Sequence, residues 1–440
     1  MGPEIIGLLM IAGLLAGILI GFPIAFTMVF LGIAFGYWGF GQLVFYLLTL
    51  QFYGTMMETT LTAVPLFVFM GILLERANLM ERLFAVILQL LTGLRGALYL
   101  AVMLVATVFA AATGIVGASV TLLGIMAGKQ MIRAGYDARL SSGLITAGGT
   151  LGILLPPSVM LIVMGPIIEV PVTTLFTAAI FPGLLLAALF TGYALLRAWI
   201  NPSLAPLPPK VEVDDAGRTS LWIELFKGLV PLVALVVASL GSIIAGIATP
   251  TEGAACGALG SVLLTIAYRQ LSFSLLADAL IKTLEISVLI LFLVAASNFF
   301  GSVFARLGTP GMLSDALLAL ELNRYVILAA IMALIFLLGW PLEWVPIVLI
   351  VVPFLLPLVN QLGFDVAWFG ILVAVNLQTA WLSPPVALSA YFLKGVVPEW
   401  SLSDIYAGMA QFMVLQLIGL TVVAIFPEIA LWLPRLIYGN

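Results

Sequence analysis

Long apolar stretches separated by short polar segments run along nearly the whole chain. Many windows hold about 20 mostly apolar residues, which is roughly the length of helix that crosses a bilayer once, and 63% of all residues are hydrophobic while 8% are charged. A transmembrane barrel would instead show short segments of alternating polarity. The pattern therefore predicts an all-α polytopic membrane protein.

The first half of the chain shows four uninterrupted apolar stretches and two interrupted ones. The first three predict helices near 5–21, 24–48 and 60–75, and a further helix is predicted near 174–199. The stretch near 97–128 is interrupted at 113–119 and has basic residues at both ends, which predicts a re-entrant hairpin with its tip near the membrane midplane. The stretch near 140–170 contains a proline pair and predicts a broken helix.

Two proline pairs interrupt long apolar stretches in the same way. Pro156 and Pro157 lie in the first half, and Pro384 and Pro385 lie 228 residues later. A broken helix in hydrocarbon exposes backbone polar groups, and it persists only where protein buries it or where it lines a cavity. Matched breaks in two halves of a membrane protein indicate the binding site of a transporter.

Other features repeat at nearly the same offset. Pro23 corresponds to Pro250 at 227 residues, and the Phe-x-Gly motif at Phe69 corresponds to that at Phe299 at 230 residues. Five crossings in the first half would place the second half upside down, so we predict two inverted-topology repeats. The second half then has helices near 229–247, 252–268, 286–304 and 405–433, a hairpin near 325–358 with its tip at Gly339–Trp344, and a broken helix near 366–394.

The distribution of basic residues agrees with this topology. With the N-terminus outside, thirteen of the sixteen Lys and Arg residues lie inside, and Arg306, Arg324 and Arg435 lie outside, as the positive-inside rule requires. Two charged segments at 77–94 and 306–323 follow the corresponding Arg76 and Arg306, and they predict interfacial amphipathic helices.

Composition excludes several classes of chemistry. The chain has no His and one Cys, which excludes His-based acid–base catalysis, internal disulfides and most zinc sites. It has no P-loop motif, so the chain itself does not use ATP, and no basic run that would indicate nucleic acid. The carboxylates form no convincing catalytic pair, so we expect a protein that is not an enzyme and has no organic cofactor.

The first candidate site lies where the hairpin tip at 113–119 faces the break at 146–158. Hydroxyls and glycines cluster there: Thr113, Gly114, Ser119, Thr146, Gly149, Thr150 and Ser158. Unwound carbonyls and hydroxyls are suitable ligands for a cation such as sodium, and half-helix N-termini can face an anion. The alternative is that the small residues only allow close helix packing.

The second candidate site is the inverted counterpart of the first. The tip at Gly339–Trp344 faces Asn376, Gln378, Thr379, Ser383, Pro384 and Pro385. Asn376 is a lone amide in an apolar run, which either binds a ligand or forms an interhelical hydrogen bond. Glu343 either contacts an ion or the substrate, or caps the half-helix that begins near Trp344.

Several motifs resemble the large membrane subunit of the tripartite ATP-independent periplasmic (TRAP) transporters. They are the run from Thr146 to Ser158, the Gly246…Thr249-Pro250-Thr251-Glu252 segment, the prolines at 346, 353 and 357, and the Asn376-Leu377-Gln378-Thr379…Ser383-Pro384-Pro385 segment. The resemblance spans essentially the whole chain.

The resemblance implies an elevator-type ion-transporter fold in a bacterial inner membrane. A scaffold would comprise 1–94 and 221–322, a transport domain 95–200 and 323–440, and a cytoplasmic linker 201–220, with the N-terminus periplasmic. Implied sodium ligands are Thr113, Gly114, Ser119, Thr146, Gly149, Thr150, Gly339, Asn376 and Thr379. Implied substrate contacts are Pro156, Ser158, Glu343, Ser383 and Pro384.

The implied function is sodium-driven import of an organic acid. A periplasmic binding protein would deliver the carboxylate, and a small four-helix membrane subunit would dock on the scaffold. The alternative is a self-sufficient sodium/divalent-anion symporter that needs no binding protein. C4-dicarboxylates, 2-oxo acids and sugar acids all remain possible substrates.

Overall fold

The fold is built from helices along the whole described chain. A computed structural model describes residues 2–77, 79–91, 93–207, 215–319, 322–384 and 387–439. Within these residues no strand occurs, and seven helices are long and apolar enough to cross a membrane: Pro3–Ile20, Thr59–Arg76, Val172–Ile200, Ile223–Ile244, Phe273–Arg306, Trp344–Gln361 and Leu402–Ile425.

The helices of the first half are α1 (Pro3–Ile20), α2 (Ile24–Phe40), α3 (Leu43–Met57), α4 (Ala63–Arg76), α5 (Leu79–Leu90), α6 (Ala97–Thr113), α7 (Val116–Leu123), α8 (Lys129–Arg133), α9 (Ala138–Thr150), α10 (Val159–Ile168) and α11 (Val172–Ile200). A π-helical turn at Gly124–Gly128 joins α7 to α8. The predicted first hairpin is therefore α6–α8, and the predicted broken helix is α9–α10.

The helices of the second half are α12 (Asp215–Val236), α13 (Ser242–Ile244), α14 (Pro250–Ala267), α15 (Phe273–Arg306), α16 (Thr309–Leu318), α17 (Arg324–Leu338), α18 (Trp344–Pro346), α19 (Val352–Gln361), α20 (Val366–Leu377), α21 (Leu388–Val396), α22 (Leu402–Ile425) and α23 (Glu428–Tyr438). A π-helical turn at Ile347–Val351 joins α18 to α19. The second hairpin is therefore α17–α19, and the second broken helix is α20–α21.

The two halves pack as inverted copies. Helix α4 packs on α14, and its counterpart α15 packs on α2, which is the counterpart of α14. Arg76 at the C-terminal end of α4 lies 3.6 Å from Asp278 in the first turns of α15, so these two corresponding helices run antiparallel. The predicted inverted-topology repeats, each with a hairpin and a broken helix, are confirmed.

Besides the start of α12, which lies at Asp215 rather than near 229, three predicted helix boundaries were wrong. The stretch 24–48 is not one helix, because Gly41 (φ 69°, ψ −145°) ends α2 and a new helix begins at Leu43. Helix α15 begins at Phe273 rather than near 286, since its charged first turns still form helix. The final helix ends at Ile425, because Pro427 favours an extended conformation at Phe426.

Comparison of the halves explains the first two errors. The 34-residue α15 corresponds to α3 and α4 together, which are divided at Glu58 (φ −71°, ψ 102°). The third helix of each repeat is therefore longer than the apolar pattern indicated, and only the copy in the first half is broken.

The predicted amphipathic segments form α5 and α16, although residues 78, 92, 320 and 321 lie outside the described residues. The same holds for residues 208–214 of the predicted linker, and α12 begins inside that linker at Asp215. The predicted domain boundaries stay a prediction.

The two repeats interlock where α9 crosses α22. Gly143 and Gly408 lie at the crossing, and a Cβ added to Gly408 would be 2.0 Å from the backbone oxygen of Arg139. The Arg139 side chain also pairs with Asp404 at 2.9 Å. The broken helix of the first half is thus held in direct backbone contact with a helix of the second half.

Candidate functional site

The first helix break is completely buried. After α9 the chain forms a 3₁₀ turn at Leu151–Ile153, passes Pro156 and Pro157, and restarts at α10 with Ser158 as the N-terminal cap. All residues from Leu151 to Ser158 are buried. The apolar surroundings leave the unwound backbone to be satisfied by the protein itself or by a bound ligand.

Glycines bring the first hairpin tip onto this break. Gly114 has φ 63°, and a Cβ added to it would lie 2.8 Å from the backbone oxygen of Pro157. A Cβ on Gly149 would lie 2.3 Å from Cγ2 of Val120. Side chains at these positions would therefore separate the tip from the broken helix, which explains why glycines occur at both faces of the contact.

The hydroxyls near the first break present their oxygen lone pairs. Ser119 donates to the carbonyl of Ile115 at 2.8 Å, and its Oγ lies 3.4 Å from Oγ1 of Thr113. Thr150 donates to Ala147, and Ser158 donates to Ile153 at 2.5 Å. Each proton is used in a local hydrogen bond, and Ser158 Oγ also accepts from the Leu161 backbone N–H at 3.4 Å as the cap of α10. Each oxygen therefore keeps at least one lone pair that a cation could use.

Thr146 lies one turn before Thr150 in α9. Its hydroxyl donates to the carbonyls of Ser142 and Gly143 inside α9. Thr113, Gly114, Ser119, Pro156 and Ser158 lie at the tip or the break, Gly149 packs against α7, and Thr146, like Thr150, donates to a carbonyl within α9.

The second break contains an unsatisfied acceptor. Asn376 is 1% exposed and donates from Nδ2 to the carbonyl of Met332 in α17 at 2.7 Å, while its Oδ1 has no partner among the described residues. Thr379 donates to the carbonyl of Asn376 at 2.6 Å. The bond to Met332 anchors the side chain to the hairpin. A buried oxygen without a partner is energetically costly, and a bound ligand would remove that cost.

The remaining second-half residues lie around the same break. Ser383 donates to the carbonyl of Thr379 at 2.7 Å, and Pro384 is exposed. A Cβ on Gly339 would lie 3.3 Å from Cβ of Ala380, so the second tip also contacts its break. Pro385 lies outside the described residues.

Sequence reasoning missed a residue that supports the second break. Gln416 in α22 donates from Nε2 to the carbonyl of Val375 at 3.2 Å and to Oε1 of Gln378 at 2.6 Å. It links the last turn of α20 to α22. The available signal was the same one that identified Asn376, namely a lone amide in an apolar helix.

The Thr249–Glu252 segment, one of the motifs that carry the family resemblance, has a local structural role. Thr249 caps α14 through a reciprocal pair of hydrogen bonds with Glu252: the Glu252 backbone N–H donates to Thr249 Oγ1 at 3.3 Å, and the Thr249 backbone N–H donates to Glu252 Oε2 at 2.8 Å. This segment therefore starts a helix and lies apart from the two breaks.

A cleft of about 620 Å³ opens between α3 and α15 on one side and α10 and α19 on the other. Its polar lining includes Gln51, Glu58, Glu169, Asn298 and Ser302. The cleft separates α10 and α19 of the predicted transport domain from α3 and α15 of the predicted scaffold.

Comparisons with known proteins connect this geometry to a family. The model of the tripartite ATP-independent periplasmic transporter DctM component matches residues 11–429. The chain belongs to this family. The prediction from the proline pairs and their flanking motifs is therefore confirmed, and this TRAP subunit is a multi-pass membrane transport protein rather than an enzyme.

Curated relatives of this TRAP subunit are named for different cargoes. The chain is 29% identical over 88% of its length, and 89% of the relative's, to a C4-dicarboxylate TRAP transporter large permease protein from Pseudomonas aeruginosa. It is 30% identical, over 88% of its length and 89% of the relative's, to a sialic acid TRAP transporter large permease protein from Vibrio cholerae.

Another relative is a longer protein. The isethionate TRAP transporter permease protein DctMQ from Oleidesulfovibrio alaskensis is 29% identical over 76% of this chain, which covers 52% of the relative.

A solved structure supports the fold of this TRAP subunit. The YdaH transporter of Alcanivorax borkumensis matches with a TM-score of 0.63 at 17% identity, covering 89% of this chain and 88% of that one. The similarity shows that the two chains share an overall fold.

Proposed function

We propose that this TRAP large permease imports an organic acid across a bacterial inner membrane and is driven by a sodium gradient. The observation that carries the proposal is the buried Oδ1 of Asn376, which has no hydrogen-bond partner among the described residues and lies at a helix break. The corresponding break in the first half is lined by hydroxyl oxygens. Oxygen ligands without a formal charge suit a monovalent cation that must also leave. One sodium ion would bind at each break.

The names of the relatives support the proposed partners. Large permeases of this family are named as parts of tripartite periplasmic systems, and one relative bears a combined permease name. We assign a periplasmic binding protein and a small membrane subunit as partners, with the N-terminus on the periplasmic side.

Uptake into proteoliposomes tests sodium coupling and the need for partners. The complex of this chain with the small subunit and the binding protein is expected to accumulate its acid with an imposed sodium gradient, and to lose accumulation when choline replaces sodium. Omission of the binding protein should abolish uptake. Equal uptake in choline contradicts the ion coupling, and undiminished uptake without the binding protein favours a self-sufficient symporter.

Unequal contacts in the two halves support an elevator motion. Gly71 of α4 and Gly301 of α15 are counterparts, yet a Cβ on Gly71 would lie 2.9 Å from Thr113 at the first tip, whereas a Cβ on Gly301 would lie 3.8 Å from Leu349 on the return limb of the second hairpin. With the proposed topology, the contact at Gly71 and the contact at Gly301 both correspond to hairpins that are displaced toward the cytoplasm. The opposite state would bring Gly301 to the second tip.

Cysteine cross-linking tests this motion, because Cys256 is the only native cysteine. In a Cys256→Ser background, a short thiol cross-linker should join Gly301→Cys to Leu349→Cys in the state described here. It should also join Gly301→Cys to Trp340→Cys in the opposite state. Either cross-link should abolish uptake, with the single-cysteine variants as controls. Normal uptake by a fully cross-linked protein would contradict an elevator.

A further inference from the structure

We propose that the transported acid carries a single carboxylate and that Glu343 imposes this limit. The inference rests on the proposed function and concerns the substrate class at the same site. It follows from the distribution of fixed charge around the second break and along the cleft.

Glu343 faces the second break from the tip of the second hairpin. It precedes α18, and its exposed side chain lines a small cavity together with Gly339, Leu342, Ala380, Trp381 and Leu388. Ala380 and Trp381 belong to the 3₁₀ turn of the break. A substrate that contacts this break therefore lies within reach of the carboxylate.

Within the described part of the chain, no Lys or Arg forms an ion pair with Glu343. Its counterpart at the first tip is Ile115, the residue that precedes α7. The inverted repeat therefore duplicates the cation sites but not this charge, and the moving domain carries one fixed carboxylate at its tips.

Charge balance then favours one substrate carboxylate. One sodium ion at each break is offset by Glu343 and by a single carboxylate on the acid, so the loaded site has no net charge. A dicarboxylate would leave an uncompensated negative charge inside the membrane, which is energetically unfavourable.

The cleft provides a second, independent observation. Its described lining includes Glu58 and Glu169 and no Lys or Arg. Carboxylates in a low-dielectric cleft attract sodium and repel anions, and the repulsion grows with the charge of the anion. A dicarboxylate would thus find no compensating cationic side chain along this lining.

Thermal stabilisation of the purified full chain tests the inference with matched probes. The pairs are 2-hydroxybutanoate with malate, 2-oxobutanoate with oxaloacetate, and gluconate with glucarate, each in sodium or choline chloride. We expect at least one monocarboxylate to stabilise the wild type in sodium, with its dicarboxylate partner at least tenfold weaker. Glu343→Gln should reduce this preference at least tenfold, and Glu343→Asp should retain it. Glu399→Gln, on the exposed loop after α21, is the matched control.

The outcomes separate this inference from the proposed function. Stabilisation by sodium alone supports the cation sites regardless of the acids. If sodium stabilises the chain but no monocarboxylate does, if the dicarboxylates bind as tightly, or if Glu343→Gln leaves the preference unchanged, then the single-carboxylate limit is overturned. If sodium itself has no effect, the proposed ion coupling fails as well.

Discussion

Asn376→Ala is expected to raise the sodium concentration needed for half-maximal uptake by roughly 10- to 100-fold, while the chain still folds. The substitution removes Oδ1, which has no partner within the described part of the chain, and a contact between such an oxygen and an ion contributes about 1.5–3 kcal/mol. The hydrogen bond to Met332 is also lost, so a modest decrease in melting temperature is expected. The measurement is the sodium concentration for half-maximal uptake.

Ser119→Ala provides the equivalent test in the first half, because it removes the hydroxyl beside Thr113 at the first tip. Asn360→Ala is the matched control, since Asn360 is an exposed amide at the C-terminal end of α19. Both site variants should change sodium dependence and the control should not. Wild-type sodium dependence in both site variants would refute the assignment of these residues.

Gly408→Ala is expected to destabilise the protein by about 3 kcal/mol or more. The added Cβ would lie 2.0 Å from the backbone oxygen of Arg139 and 2.8 Å from the backbone nitrogen of Gly143. Backbone atoms at a helix crossing cannot move aside as a flexible side chain can, so overpacking forces α9 and α22 apart. Thermal melting of the purified chain, monitored together with its monodispersity, measures the effect.

Gly192→Ala is the matched control for this substitution. Gly192 lies within α11, and nothing would be within 4 Å of a Cβ added there. Since alanine is the better helix former by up to about 1 kcal/mol, this variant should melt at the same temperature or slightly higher. Equal melting temperatures for Gly408→Ala and wild type would show that the two halves do not interlock at this crossing.

The features that sequence could predict are those in which local chemistry dictates the backbone. Proline pairs at 156 and 384 cannot continue a helix, and Gly114 adopts a positive φ that favours glycine. The breaks and the first tip were therefore predictable in position. The repeat was predictable because the same local rules apply twice at a nearly constant offset.

Helix lengths were less predictable, since tertiary contacts override hydropathy. The charged residues Asp278, Lys282 and Glu285 hid the first turns of α15, although each of them forms an ion pair: Asp278 with Arg76, and Lys282 with Glu285. Conversely, the apolar run after Ile24 concealed the break at Gly41. Hydropathy reports burial or lipid exposure, and it does not report where a helix bends.

The composition of the candidate site required three-dimensional information. Asn376 and Gln378 are two residues apart, so helical geometry directs them to opposite faces. The structure shows Asn376 contacting the hairpin through Met332 and Gln378 contacting α22 through Gln416. Sequence alone listed both amides at the break without separating a candidate ligand from a residue that fixes the end of α20.

Equilibrium binding of ²²Na⁺ to the purified chain tests most directly whether the two helix breaks hold sodium. The wild type should bind sodium saturably, with one ion at each break, and Ser119→Ala and Asn376→Ala should each weaken binding at one of them. Saturable binding that neither substitution alters, or no binding at all by a folded chain, would contradict the assignment.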